Sequence, residues 1–344
     1  MSAPFDAVLL VAFGGPQGPA DVRPFLENVL RGRRVSPERI EEVAHHYERF
    51  RGVSPLTELT LAQARALEGV LRQRGLPLPV HVGMRNWHPY LAETLADMSR
   101  HGVRRAIGIL AAAQRTYSGC LQYRENVRDA RAALARAGLP DVEVVYIGDW
   151  HEHPGFVQAN VDHVRQAFER LPADRRGRAR LVFTAHSIPV SMAQQYPYEQ
   201  QLRASASLIA QALGIPDPHD PRTPRPGSSD LREPRPWALV YQSRSGRPGD
   251  PWLEPDICDY LEAEAAAGLD TAVLCPVGFL CDHVEVLYDL DVEAADTCNE
   301  LGLVMQRAQA VNLHPRFIDA LADGVAATWQ RYDGTRPLTV TSGQ

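Results

Sequence analysis

Short apolar runs alternate with longer stretches in which apolar residues recur at helical spacing, along the whole chain. The apolar runs are Ala7–Phe13, Val80–Met84, Arg105–Ala112, Val142–Ile147, Leu181–Ala185, Ala238–Gln242, Thr271–Val277 and a weaker Leu303–Val311. They are rich in Val, Ile and Leu and lack clean alternation, as strands buried on both faces do. Between them the spacing predicts helices over Thr57–Arg74, Tyr90–Arg100, Leu121–Ala137, Gly155–Arg170, Ser191–Leu213, Glu254–Ala267 and Pro315–Gln330. This order implies an α/β fold of parallel sheets flanked by helices. An eight-stranded barrel is the rival. Two doubly wound, Rossmann-like halves are favoured, because long helical hairpins rather than single helices separate the first strands. The halves divide as 1–145 and 146–334. Residues 216–236, crowded with Pro, Arg, Asp, Gly and Ser, read as a surface insertion, and 335–344 as a tail. No internal repeat is evident.

Bulk properties narrow the function. At 344 residues and 44% hydrophobic, the chain is large enough for a sizeable core and two domains. Its 36 Lys and Arg against 42 Asp and Glu give a net charge of −6, which offers no reason to expect a nucleic-acid partner. No stretch of 18 apolar residues is present, so no transmembrane segment is expected. Met1-Ser-Ala-Pro-Phe-Asp lacks the basic-then-apolar signature of a signal peptide, and a cytoplasmic location is the expectation. The five cysteines, Cys120, Cys258, Cys275, Cys281 and Cys298, form no C-x-x-C pair, which argues against a disulfide framework or a structural zinc.

The chemistry is expected where strands end. Phe13-Gly-Gly-Pro16, Arg115–Tyr123, His186-Ser-Ile-Pro189 and Gly278–Asp291 each follow a predicted strand. In open α/β sheets such loops surround the ligand crevice. In the last of them Glu285, Asp289 and Glu293 recur at i, i+4 and i+8, which stacks three like charges along one helix face. A solvated acidic face is one reading. A row of hard oxygen ligands for a divalent cation is the other, and its place at a strand end favours it. His186 is either a buried histidine that caps a strand or a group that ligates metal and exchanges a proton near neutral pH. Beside a carboxylate such as Glu285 it makes a mixed N/O pair suited to Fe(II) or Zn(II). Gly14-Gly15-Pro16-Gln17-Gly18 is not a dinucleotide fingerprint, and neither a Walker A motif nor a G-x-S-x-G elbow is present. Arg31-Gly-Arg-Arg34 reads as solvated surface or as a neighbour of an anionic ligand; His45-His46 and His151-Glu-His153 are assigned no metal role.

These motifs together resemble the ferrochelatases, which insert Fe(II) into a porphyrin. The resemblance runs from about Leu9 to Leu321. It rests on Phe13-Gly-Gly-Pro, Gly52-Val-Ser-Pro-Leu56, Thr184-Ala-His-Ser-Ile-Pro189, Tyr241-Gln-Ser-Arg-Ser-Gly246 with Pro251-Trp-Leu-Glu-Pro255, and Gly278–Asp291. It implies two Rossmann-like domains around a porphyrin cleft. It also implies that His186 and Glu285 handle metal and pyrrole protons, that Asp289 and Glu293 supply the metal, and that Phe13, Tyr47, Ser54 and Tyr123 line the porphyrin. Tyr117–Glu125 is similar to the Gram-positive and actinobacterial forms, whose substrate is coproporphyrin III; protoporphyrin IX is the alternative. Fe(II) enters as substrate, with no tightly bound cofactor. Some members hold a [2Fe–2S] cluster on cysteines near the C-terminus; this chain has none after Cys298, so no cluster is expected. Some coproporphyrin enzymes carry Tyr in place of Phe13, and Phe cannot ligate the product iron. The family allows monomers and dimers, and a monomer is expected. A cobalt or nickel chelatase and a non-catalytic porphyrin-binding protein are the more distant alternatives.

Overall fold

The computed structural model describes residues 3–31, 37–218, 236–245 and 249–333. The expected insertion and tail lie outside the described residues, apart from 216–218 and 236. All eight predicted strands are present, in two parallel four-stranded sheets rather than a barrel. The first sheet has the order β2-β1-β3-β4, from β1 (Ala7–Ala12), β2 (Val80–Met84), β3 (Arg105–Leu110) and β4 (Glu143–Tyr146). The second has the order β6-β5-β7-β8, from β5 (Arg180–His186), β6 (Ala238–Gln242), β7 (Thr271–Cys275) and β8 (Val304–Arg307). The most apolar strands are central: β1 and β7 are buried at every residue, and β5 at every residue before His186.

The first half carries α1 (Val22–Leu30), α2 (Pro37–Arg49), α3 (Leu56–Gln73), α4 (Leu91–Arg100) and α5 (Gln122–Arg136). After α6 (Pro154–Arg170) the chain forms α7 (Val190–Ala193), α8 (Tyr198–Ala212), α9 (Ile257–Ala266), α10 (Val284–Tyr288), α11 (Ala294–Leu301) and α12 (Pro315–Tyr332). The single helix expected over Ser191–Leu213 is two, α7 and α8. Pro197 explains the break: it has no N–H for an interior turn, and it sits at the cap of α8.

The halves exchange helices. Chain leaving β4 enters α6, whose Val161, Val164 and Ala167 pack into the core of the second sheet. Chain leaving β8 enters α12, whose Phe317, Leu321 and Val325 pack with Phe5, Val8 and Leu10 of the first. Residues 315–332, which follow the second sheet in sequence, therefore sit on the first half. Where the two helices start they touch closely: a Cβ on Gly155 would stand 2.3 Å from the Arg316 carbonyl, so only glycine fits. Each helix opens on His-Pro. His153 accepts from Gly155 N (3.1 Å) and His314 from Arg316 N (3.3 Å), capping the first turn. Each capping ring also reaches an aspartate of the other helix at 3.4 Å, His153 to Asp323 and His314 to Asp162. This reciprocity reveals the repeat that is not evident in the sequence.

Candidate active site at the facing sheet edges

In both sheets the strand order reverses direction beside the first strand, between β1 and β3 and between β5 and β7. Loops leave such a switch point in opposite directions and open a crevice. Here the two crevices face one another. Gln114, after β3, donates to the Val277 carbonyl after β7 (3.5 Å), and Arg115 N donates to Gln201 Oε1 on α8 (2.7 Å).

His186 is the last residue of β5 and is half-buried. Its backbone is held on several sides. Ser187 N donates to the Gln242 carbonyl (2.7 Å), Tyr198 Oη donates to the His186 carbonyl (2.9 Å), and Ser187 Oγ donates to the Leu253 carbonyl (2.8 Å). The Pro251–Pro255 stretch thus serves to pin the His-Ser-Ile-Pro loop, with Leu253 N donating to Ile188 O at 3.0 Å. The imidazole Nδ1 bonds the Ser187 carbonyl. A carbonyl only accepts, so Nδ1 carries the hydrogen and a neutral ring has its lone pair on Nε2. The loop after β7 passes directly over β5: a Cβ on Gly278 would lie 2.6 Å from Ala185 Cβ, so glycine is required beside His186.

The acidic row is not one straight α-helix. Between α10 and α11 residues Asp289–Glu293 form a π-helical turn, in which Ala294 N bonds Asp289 O. A second π turn, Tyr117–Leu121, opens α5 in the first half. Such turns are rare, well under 1% of residues, and are frequent at functional sites. The carboxylates of this region separate into two sets. Asp282 and Asp291 are clamped by Arg307 from β8, at 2.7 Å from Nη1 and 2.6 Å from Nε. Glu285 and Asp289 stand apart from that clamp, with Glu293 beyond them on the exposed side. Asp289 is buried, and its Oδ2 accepts from Gln242 Nε2 (3.2 Å) and from Ser243 Oγ. Burial, with Glu285 and Glu293 nearby, pushes its carboxyl up to about 7 against the opposing pull of these hydrogen bonds. His283, two residues before Glu285, packs its ring against Phe279 at 5.3 Å. Burial lowers its pKa, which the Glu285 charge opposes and the His186 ring reinforces.

The facing wall, from the first half, is aromatic. Phe13, just past β1, meets Phe25 edge-on at 6.2 Å, and Tyr47 and Trp87 meet the same ring at 5.7 and 6.3 Å. Val284 of the second half joins this cluster. Tyr47 and Tyr123 are buried, which raises their phenols well above the ordinary value; the Glu285 charge raises both further. Glu285, next to Val284 in α10, therefore follows a residue packed on the first-half cluster. Arg85 acts against the shift of both Tyr117 and Tyr123, so a cation lies on this wall. Ser54 is buried in the loop before α3, with its N–H donating to the Pro16 carbonyl (2.8 Å). Its side chain lies against Gly15, where a Cβ would approach Ser54 Cβ to 2.7 Å.

His186, Glu285 and Asp289 thus share the second-half edge, and Phe13, Tyr47, Ser54 and Tyr123 the first. Among the described residues no group of three or more His, Cys, Asp or Glu side chains could hold a metal ion, so the acidic residues are spaced rather than gathered. Sequence reasoning missed His283 and the pair Gln242 and Ser243. All three lie inside quoted motifs, and the signal was their place at strand ends beside His186 and Glu285.

Comparison with known proteins fits this geometry. A family model described as Ferrochelatase matches residues 5–328. A protein of Streptomyces coelicolor named coproporphyrin III ferrochelatase is 46% identical over 326 residues, 94% of this chain and 85% of that one. One of Nocardia farcinica with the same name is 46% identical over 320 residues, covering 91% and 85%. A ferrochelatase of Rhodopirellula baltica is 45% identical over 319 residues, covering 92% and 84%. Among solved structures, SirB from Bacillus subtilis with Fe3+ superimposes with a TM-score of 0.53 at 12% identity, covering 96% of this chain and 97% of that one, a likeness of fold alone. Two matched open sheets, a histidine and a spaced carboxylate row on one edge, an aromatic wall on the other and these relatives agree: the chain belongs to the ferrochelatase family.

Proposed function

We propose that the protein inserts Fe(II) into coproporphyrin III. The observation that carries the proposal is the tautomer of His186: with Nδ1–H committed to the Ser187 carbonyl, Nε2 presents a lone pair on the wall that also holds Glu285. Metallation requires two pyrrole N–H protons to leave as iron arrives, and His186 Nε2 accepts one of them. Glu285 receives iron passed along Asp289 and Glu293 and stabilises the imidazolium that forms. His283, two residues before Glu285 and lowered in pKa by burial, serves as a second acceptor for the departing protons.

The aromatic wall supplies a flat apolar surface for the macrocycle, through Phe13 and the rings that pack on Phe25. Arg85, with Ser54, Tyr47 and Tyr123, provides donors for the propionates. Coproporphyrin carries four propionates and protoporphyrin two, and the relatives named for coproporphyrin III support the first. The two halves divide near 145 and 146, with α12 returned to the first. The protein is taken as cytoplasmic and monomeric; among the described residues no helix is long and apolar enough to cross a membrane. Anaerobic turnover with Fe(II) and each porphyrin tests the substrate. Coproporphyrin III should have the higher kcat/KM, and a preference for protoporphyrin IX would overturn the choice.

A further inference from the structure

The geometry points to Gln242 and Ser243 as positioning residues that hold Asp289 by one carboxylate oxygen and so keep its other oxygen turned to passing iron. The inference rests on the reading of Asp289 as part of the iron path, and it adds two residues to which no role has yet been given. Both donors converge on Oδ2, Gln242 through Nε2 at 3.2 Å and Ser243 through its hydroxyl. Among the described residues no hydrogen bond to Oδ1 accompanies them, so the carboxylate is fixed at one end.

Three further features support a dedicated device. Gln242 is the last residue of β6 and is the register partner of His186 across the sheet. Its carbonyl also accepts from Ser187 N (2.7 Å), so one residue joins the histidine loop by its backbone and Asp289 by its side chain. Gln242 is only 1% exposed, and its buried Oε1 has no hydrogen-bond partner among the described residues, a cost retained at this point of the fold. Ser243 has φ of +60°, a left-handed conformation that a side chain other than glycine adopts at an energetic cost. Glycine would relieve that cost and lose the hydroxyl. The strained serine is thus explained by what its hydroxyl holds.

Ser243→Gly separates the two roles. As a purely structural residue, Ser243 would be replaced by glycine with equal or better stability and unchanged kinetics. As a positioning residue, its loss should raise KM for Fe(II) about three- to tenfold, in anaerobic assays with coproporphyrin III. KM for the porphyrin and the melting temperature should not worsen. In an Asp289→Asn background Ser243→Gly should add nothing further. An unchanged KM for Fe(II) in Ser243→Gly, with a raised one in Asp289→Asn, would overturn the positioning role alone. An unchanged KM in Asp289→Asn itself would overturn the iron path on which it rests. A full additional loss in the double variant would show that Ser243 acts on something other than Asp289, and would also overturn the inference.

Discussion

The two halves present the same sheet with different chemistry at its edge. Ala7 pairs with the second residue of β3 and Arg180 with the second residue of β7; Phe13 and His186 lie the same number of residues further along. They occupy matching steps of matching strands, and each half also carries one π turn in the helical segment after its third strand. Yet Phe13 packs on an aromatic ring, whereas His186 pairs in register with Gln242, whose side chain holds Asp289. A repeated scaffold has been divided into an aromatic wall and a wall of titratable side chains. The difference lies in side chains, not in topology, as expected where sites are grafted on a common fold.

The largest test of this division is His186→Ala. Removing a general base costs about 10²- to 10⁴-fold in rate, so kcat for iron insertion should fall by that range while porphyrin quenching titrations still show binding. Retained turnover would place the proton acceptor elsewhere. On the opposite wall, Phe25 is 1% exposed and touches Phe13, Tyr47 and Trp87. Phe25→Ala should lower stability by about 3–5 kcal/mol in denaturant unfolding. It should also weaken porphyrin binding. Weakened binding of iron alone would contradict the assignment of the wall.

Asp289 gives a smaller effect with a definite sign. Its folded pKa lies above its unfolded value, so the folded state holds the extra proton between about pH 4 and about pH 7. Stability falls as pH rises through that window, and the full cost of burying the charge remains above it. Asp289→Asn keeps acceptors for Gln242 and Ser243 without the charge. It should be more stable than the parent at pH 8 by roughly 1–4 kcal/mol, the gap closing towards pH 4 in urea titrations. An equal gap at both pH values would show that the charge is not the cause. The smallest effect is expected at Tyr123→Phe. Burial keeps the phenol protonated across any assay range. Stability should change by about 1 kcal/mol and the pH profile of kcat should not move; a shifted profile would mean that the first wall also carries protons.

The fold was legible because strands buried on both faces print continuous apolar runs. Val80–Met84 and Ala238–Gln242 were expected with their observed ends. His186 and Glu285 were legible as groups at strand ends, and the family resemblance assigned them together. Less legible was the split of the carboxylates. Asp282 and Asp291 lie among the same acidic residues as Glu285 and Asp289, and Arg307, arriving from β8, withdraws both into structure, with Ala310 N and Asn312 Nδ2 also donating to Asp282. The α-helical spacing of Glu285, Asp289 and Glu293 was also incomplete, because a π turn depends on packing that periodicity does not record.

By itself, then, the chain determined its strands, most of its helices and the residue types able to do the chemistry, since these follow from local periodicity and intrinsic donor character. The tertiary structure alone decided the exchange of α6 and α12, the tautomer of His186 through the Ser187 carbonyl, and the hold of Gln242 and Ser243 on Asp289. Each of these is a contact between groups distant in sequence or aimed by a backbone turn. Their energies depend on distance and burial, which a one-dimensional pattern does not contain.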